Sequence, residues 1–179
     1  MGRQATHGTA TAHAGEFKRL VLPHLDAAYN LARFLSRDPV AADDIVQEAF
    51  LRAFRAFDSY RGGDPKAWVL AIVRNCSFSW AKASRAGVVG GGSAPDPNEL
   101  ADPLQDTPES SLVRGSEIEQ LRAMIEELPD PFRETLILRE LEELSYKQIA
   151  QITGAPVGTV MSRLARARHM LSDKLEPRR

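Results

Sequence analysis

The sequence predicts an all-α protein in which two small helical domains flank a flexible acidic linker. Three features carry this expectation. Apolar residues recur at helical spacing in both halves of the chain. Between them, 87–112 reads GVVGGGSAPDPNELADPLQDTPESSL, rich in glycine, proline, serine and acids, with too little periodic apolar content to pack. Near the C-terminus, 144–171 reads LSYKQIAQITGAPVGTVMSRLARARHML, two short helical patterns broken by a glycine turn, the second of them basic. The expected organisation is a disordered tail over 1–15, a helical domain over 16–85, the linker over 86–113, a second helical domain over 114–175 and a tail over 176–179.

In the first domain, Leu25, Ala28, Ala32 and Leu35 mark one helix. Asp38-Pro39 then supplies a cap and a first-turn proline for a longer helix. Its inward stripe is Ile45, Ala49, Ala53 and Ala56 or Phe57, with Asp43, Asp44, Gln47, Glu48 and Arg52 on other faces. The paired glycines of DSYRGGD, 58–64, break the pattern, and Asp64-Pro65 restarts a helix carrying Trp68, Ala71, Ile72 and Asn75.

In the second domain, Ser145 can accept from the backbone N–H of Gln148 while Gln148 reaches back, as in a capping box. Ile149 and Ile152 face inward with Ala150 near the crossing, and Gly154 and Pro156 stop the helix and turn the chain. In the next helix Val157, Val160, Leu164 and Leu171 can face the first, which leaves Thr159, Met161, Ser162, Arg163 and Arg166 toward solvent or phosphate. Cap, turn, apolar spacing and charge segregation agree on a helix-turn-helix that places its second helix in the major groove of DNA. A basic two-helix hairpin without DNA is the plainer alternative.

The chain has 179 residues, 43% of them hydrophobic, and a net charge of −1. That neutrality conceals segregation: the balance is +4 over 1–85, −5 over 86–113, −5 over 114–145 and +5 over 146–179. A phosphate-binding face belongs at the far C-terminus, and the acidic middle should avoid duplex DNA or meet a basic partner. No apolar run approaches the roughly 18 residues of a membrane span, so no membrane insertion is expected. The N-terminal MGRQATHGTATAHAG lacks the apolar core of a secretory signal, and the single Cys76 excludes an internal disulfide. A cytoplasmic setting follows. His7, His13, His24 and His169 have no partners at metal-ligand spacing, and neither metal nor cofactor is expected. No glycine-rich phosphate loop, nucleophile–base pair or buried carboxylate pair marks the chain as an enzyme.

Two blocks carry a family resemblance. AADDIVQEAFLRAFRAFDSY, 41–60, with AWVLAIVRN, 67–75, resembles the second conserved region of bacterial sigma factors, and LPDPFRETLILRELEELSYKQIAQITGAPVGTVMSRLARAR, 128–168, resembles the fourth. Their order, with a linker between, is similar to the extracytoplasmic-function (ECF) sigma factors, and covers most of 17–85 and 114–172. The resemblance implies a region 2-like bundle and a region 4-like helix-turn-helix, which bind core RNA polymerase and promoter DNA under an anti-sigma factor. It assigns polymerase docking, on the coiled coil of the largest subunit, to Asp43, Asp44, Gln47 and Glu48. Their plainer reading is a solvated face with acids near a helix start.

The same resemblance places the minus-ten non-template strand on the loop 58–64 and Asn75, and the minus-thirty-five duplex on Thr159, Met161, Ser162, Arg163 and Arg166. Melting also needs cations and apolar surface for unstacked bases. Arg55, Tyr60, Arg61, Lys66, Arg74 and Asn75 are the candidates, while Phe54, Phe57 and Trp68 serve either DNA or the core, with Trp68 assigned to the core. CSFSWAKASR follows Asn75 where the family often carries a more basic stretch, so the upstream edge of this site has fewer cations. Position 148 is Gln where an acid is common. The acidic linker is either a plain tether or a segment that occupies the path of nascent RNA. A helix-turn-helix repressor that binds operator DNA alone, and a sigma mimic that never touches DNA, are the competing functions; Arg163, Arg166 and Arg168 oppose the second.

Overall fold

The computed structural model describes residues 5–87 and 108–175, and within them the side chains of 13–87 and 117–175. Among the described residues all regular structure is helical. Most of the expected acidic linker, and the tail expected over 176–179, lie outside the described residues.

Helix α1 spans Ala5–Leu20 and a 3₁₀ turn, Leu22–His24, leads into α2, Leu25–Ser36. The tail expected over 1–15 is therefore helical from Ala5. The reason is tertiary: Phe17 and Val21 are buried beside Phe57 and Val69, so the helix is held at its C-terminal end by packing that its own composition does not reveal. Helix α3, Pro39–Ala56, starts as expected, with the Asp38 carboxylate accepting from the N–H groups of Val40 and Ala41 at 2.9 and 3.3 Å and Pro39 in the first turn. Ile45, Ala49, Ala53 and Phe57 are buried and Ala56 is half-buried, which resolves the inward stripe in favour of Phe57. After a 3₁₀ turn at Phe57–Ser59, Gly62 and Gly63 adopt φ of 86° and 97°, and α4, Pro65–Arg85, starts from an Asp64 cap.

Helix α5, Pro108–Glu126, begins inside the segment expected to be linker. Proline at a first helical position is pre-set for the turn, and the far end of α5 is held by burial of Ile125 and Leu128. The short helix α6, Asp130–Leu136, runs into a π-type turn, Ile137–Leu141. Helix α7, Tyr146–Thr153, carries the expected capping box: Ser145 Oγ accepts from the Gln148 N–H at 3.3 Å and Gln148 Oε1 from the Ser145 N–H at 2.8 Å. Gly154 ends α7 at φ 69°, and α8, Val157–Leu175, follows, with Val160, Leu164 and Ala167 buried. Val157 is exposed, a correction to its expected inward place: it is the first residue of α8, and burial begins only at Val160.

No atom lies within 4 Å of a Cβ built on Gly154, so its requirement is conformational alone. Gly154→Ala is expected to cost about 1–2 kcal/mol of stability, the cost of a left-handed L-residue, read as a lowered denaturation midpoint, with Asn costing less. An unchanged midpoint for the alanine variant would show that the turn can relax.

The two helical modules do not stand apart. Helix α4 packs on α7 and α2 on α6, and one core joins Leu31, Leu70, Val73 and Cys76 to Leu128, Leu136, Ile137, Leu138 and Ile149. Apolar residues of the second module exceed what its own short helices can cover, and α2 and α4 supply the missing surface.

Candidate nucleic-acid interface

The exposed edge of α3 combines acids with large apolar residues. Asp43, Asp44 and Gln47 are exposed, and Val40 and Leu51, 59% and 48% exposed, extend the same stripe as Asp44 and Gln47 at spacings of one turn. Glu48 is half-buried and its carboxylate accepts from Arg52 Nε at 2.6 Å. Sequence reasoning missed Val40 and Leu51; the signal was available, since both fall opposite the alanine-rich inward stripe. Cys76 sits on the covered side of this bundle, where burial pushes its thiol above the usual value and Arg52 partly offsets the rise.

The loop after α3 is built on an aromatic cluster. Phe57 is buried, its ring stacked on Tyr60 at 5.8 Å, and Trp68 lies 5.1 Å from Tyr60. Trp68 is half-buried against this cluster, while Phe54 stays exposed. The Tyr60 hydroxyl donates to the Gly63 carbonyl at 2.8 Å, which closes the loop on itself, and desolvation pushes the phenol's pKa up. Arg55, Arg61 and Asn75 are exposed. Lys66 and Arg74 are turned the other way, toward the second module: Lys66 Nζ lies 2.9 Å from a Glu142 carboxylate oxygen, and Arg74 makes two bonds to Glu134 at 2.9 and 3.1 Å. Of the six expected minus-ten residues, Arg55, Arg61 and Asn75 thus face solvent, Lys66 and Arg74 are paired internally, and Tyr60 is half-buried in the aromatic cluster.

On α8, Thr159, Ser162, Arg163 and Arg166 share one side of the helix, with Ser162 and Arg166 exposed and Thr159 and Arg163 half-buried. Met161 is exposed but lies roughly 160° around the helix from Arg163 at 3.6 residues per turn, so it does not join that face. Arg168 is engaged elsewhere, its guanidinium on Glu140 at 2.6 Å. Among the described residues no cluster of three or more His, Cys, Asp or Glu could hold a metal, and no helix is long and apolar enough to cross a membrane.

A capped helix-turn-helix with a cationic outer face, set beside a helical module that bears an aromatic and cationic loop, defines a two-module DNA-binding protein. Sigma-70 region 2 matches residues 20–86, and Sigma-70 region 4 matches residues 118–171. The ECF RNA polymerase sigma-E factor of Haemophilus influenzae is 35% identical over 82% of this chain and 80% of its own length, and that of Escherichia coli K12 is 34% identical over 83% and 82%. Among solved structures, the sigma factor RpoE in complex with the anti-sigma factor NepR from Bartonella quintana superimposes with a TM-score of 0.70 at 27% identity, over 90% of this chain and 99% of that one. CnrH in complex with the cytosolic domain of CnrY gives 0.64 at 25% identity, over 93% of each chain. The chain belongs to the ECF sigma factors of RNA polymerase. It is a transcription initiation factor and not an enzyme.

Proposed function

We propose that α3 docks on core RNA polymerase through Asp43, Asp44, Gln47 and Glu48, flanked by Val40 and Leu51, with the coiled coil of the largest subunit as the partner surface. The C-terminal module places α8 in the minus-thirty-five major groove with Thr159, Ser162, Arg163 and Arg166 toward DNA. Met161 sits at the margin of that contact. The N-terminal module holds the minus-ten non-template strand with Arg55, Tyr60, Arg61, Lys66, Arg74 and Asn75. The division runs at the acidic linker over 86–113, between a module over 16–85 and one over 114–175. The site of action is the cytoplasm, where the polymerase works, and an anti-sigma factor holds the chain inactive. The Bartonella quintana structure cited above contains such a partner, NepR, which supports that reading.

One observation carries the proposal: a solvent-facing acid-and-apolar stripe on α3 and a solvent-facing cationic edge on α8 coexist in one chain, and the fold uses neither. Run-off transcription with core polymerase and a promoter library tests it. Specific starts that require this chain are expected, with little specific duplex binding by the chain alone. Symmetric half-site binding by the free chain would instead establish the repressor reading. In the same assay Arg163→Glu is expected to lower occupancy of the minus-thirty-five element about 10–100-fold, from the ~1–3 kcal/mol of a base contact, without loss of polymerase binding. Unchanged occupancy would remove Arg163 from the recognition face.

A further inference from the structure

The ends of α2 and α4 and the start of α6 border a cleft of about 490 Å³, a volume within the range of small-molecule sites. Arg37, Arg85 and Arg133 line it against the single carboxylate of Asp130, so three guanidiniums and one acid leave a formal charge of +2. Asp130 is shared, its Oδ1 lying 2.6 Å from Arg133 Nη2 and 3.8 Å from Arg37 Nη2. Arg85 is exposed and makes no ion pair among the described residues. Helix dipoles explain one cation at the end of each of α2 and α4, and their roughly half charges offset part of the excess without cancelling it. They do not explain Arg133. That side chain is 1% exposed, its Nη1 and Nη2 are turned onto the carbonyls of Glu126 and Leu128 and onto Asp130, and its Nε–H is buried with no partner. A hollow of about 20 Å³, room for one water-sized group, adjoins the cleft and shares Arg85, Asp130 and Arg133 with it. Arg37 adds a second oddity, a φ of 61° at a helix end where glycine or asparagine is the usual choice. Burial and then repulsion from Arg37 draw the Arg133 pKa down, so the two guanidiniums oppose each other's charge.

We propose that this cleft binds a small phosphorylated molecule of the nucleotide class, its phosphates held by Arg37, Arg85 and the unpartnered Nε–H of Arg133. Guanidinium forks match phosphate oxygens bidentately, and each such bond is charge-assisted. Trp80, half-buried in the wall, offers an aromatic surface for the base. A formal charge of +2 calls for more than the single charge of a carboxylate, which a phosphate supplies. A concave site bounded by three helices also suits a small molecule better than the convex backbone of a duplex. No residue of α3 or α8 lines the cleft, so the proposal is independent of the polymerase and minus-thirty-five assignments.

The test is titration calorimetry and thermal melting of the full chain with ATP, GTP and inorganic pyrophosphate, with sulfate and adenosine as controls. The nucleotides and pyrophosphate are expected to bind and to raise the melting midpoint, because unfolding separates the three helices that form the walls. Arg85→Gln should weaken binding about tenfold, the loss of one charge-assisted contact, and leave the midpoint of the unliganded chain unchanged because the side chain is exposed. Arg85→Lys should recover part of the loss. Trp80→Leu should weaken the nucleotides relative to pyrophosphate, a ratio that a mere loss of stability does not move. No midpoint shift at millimolar nucleotide or pyrophosphate, an equal shift from sulfate, or binding that Arg85→Gln leaves unchanged overturns the proposal. If Arg85→Gln instead weakens binding of a fluorescein-labelled DNA duplex while nucleotides have no effect, the phosphate belongs to a DNA backbone and the small-molecule site is refuted.

Discussion

Asp44→Arg is expected to lose association with core RNA polymerase by about tenfold or more, with the melting midpoint of the free chain unchanged. Asp44 is exposed at the centre of a stripe that runs from Val40 through Gln47 to Leu51, and its side chain supports nothing in the core. The competing explanation, that acids near a helix start simply complement the helix dipole, meets a positional objection. The first turn of α3 contains no acid, and the dipole's effect fades within that turn. Reversal replaces an attraction with a repulsion, and close charge pairs at protein interfaces couple by roughly 1.5–7 kcal/mol, the lower end of which already gives tenfold. Glu48 is a poorer target because its carboxylate is held by Arg52. Co-purification of variant and wild type with core polymerase decides the matter: equal recovery would remove α3 from the docking surface.

The largest effect on stability is expected at Arg133, which family resemblance did not single out. This side chain is 1% exposed, and its guanidinium donates to the carbonyls of Glu126 and Leu128 at 3.0 and 2.7 Å and to the Asp130 carboxylate at 2.6 Å. It satisfies the last carbonyl of α5 and that of Leu128 just beyond it, and clamps that end to the start of α6. Burial draws the Arg133 pKa down and neighbouring Arg37 adds to the fall, while Asp130 opposes both. Arg133→Met should therefore cost about 3–5 kcal/mol in urea denaturation of the full chain, because it leaves the carbonyls of Glu126 and Leu128 and the Asp130 carboxylate without their donor. Lysine, a point donor without the planar fork, should recover only part of the loss. A loss below about 1 kcal/mol would mean that water reaches those carbonyls freely.

Local signals in the sequence were sufficient for most of the helix boundaries that matter. Asp38-Pro39, Asp64-Pro65, the Ser145–Gln148 box and Gly154 all do in the structure what their chemistry predicts, since each acts on backbone groups no more than a few residues away. The failures share the opposite property. Helix α1 is fixed by Phe17 and Val21 against residues some 40 positions distant, α5 begins before any periodic apolar pattern announces it, and Val157 lies outside the core that its spacing suggests. Met161 and Arg163 both lie outside the core, but that does not make two residues share a face.

Composition, periodicity and motif order by themselves determined an all-helical chain with a charge-segregated helix-turn-helix. Only the tertiary structure decided that the two modules share one core and that Lys66 and Arg74 rest on Glu142 and Glu134. The physical reason is range. Caps, turns and amphipathic stripes are written in neighbouring residues, whereas ion pairs such as Arg74–Glu134, separated by 60 positions, exist only after apolar burial has brought two distant helices into contact.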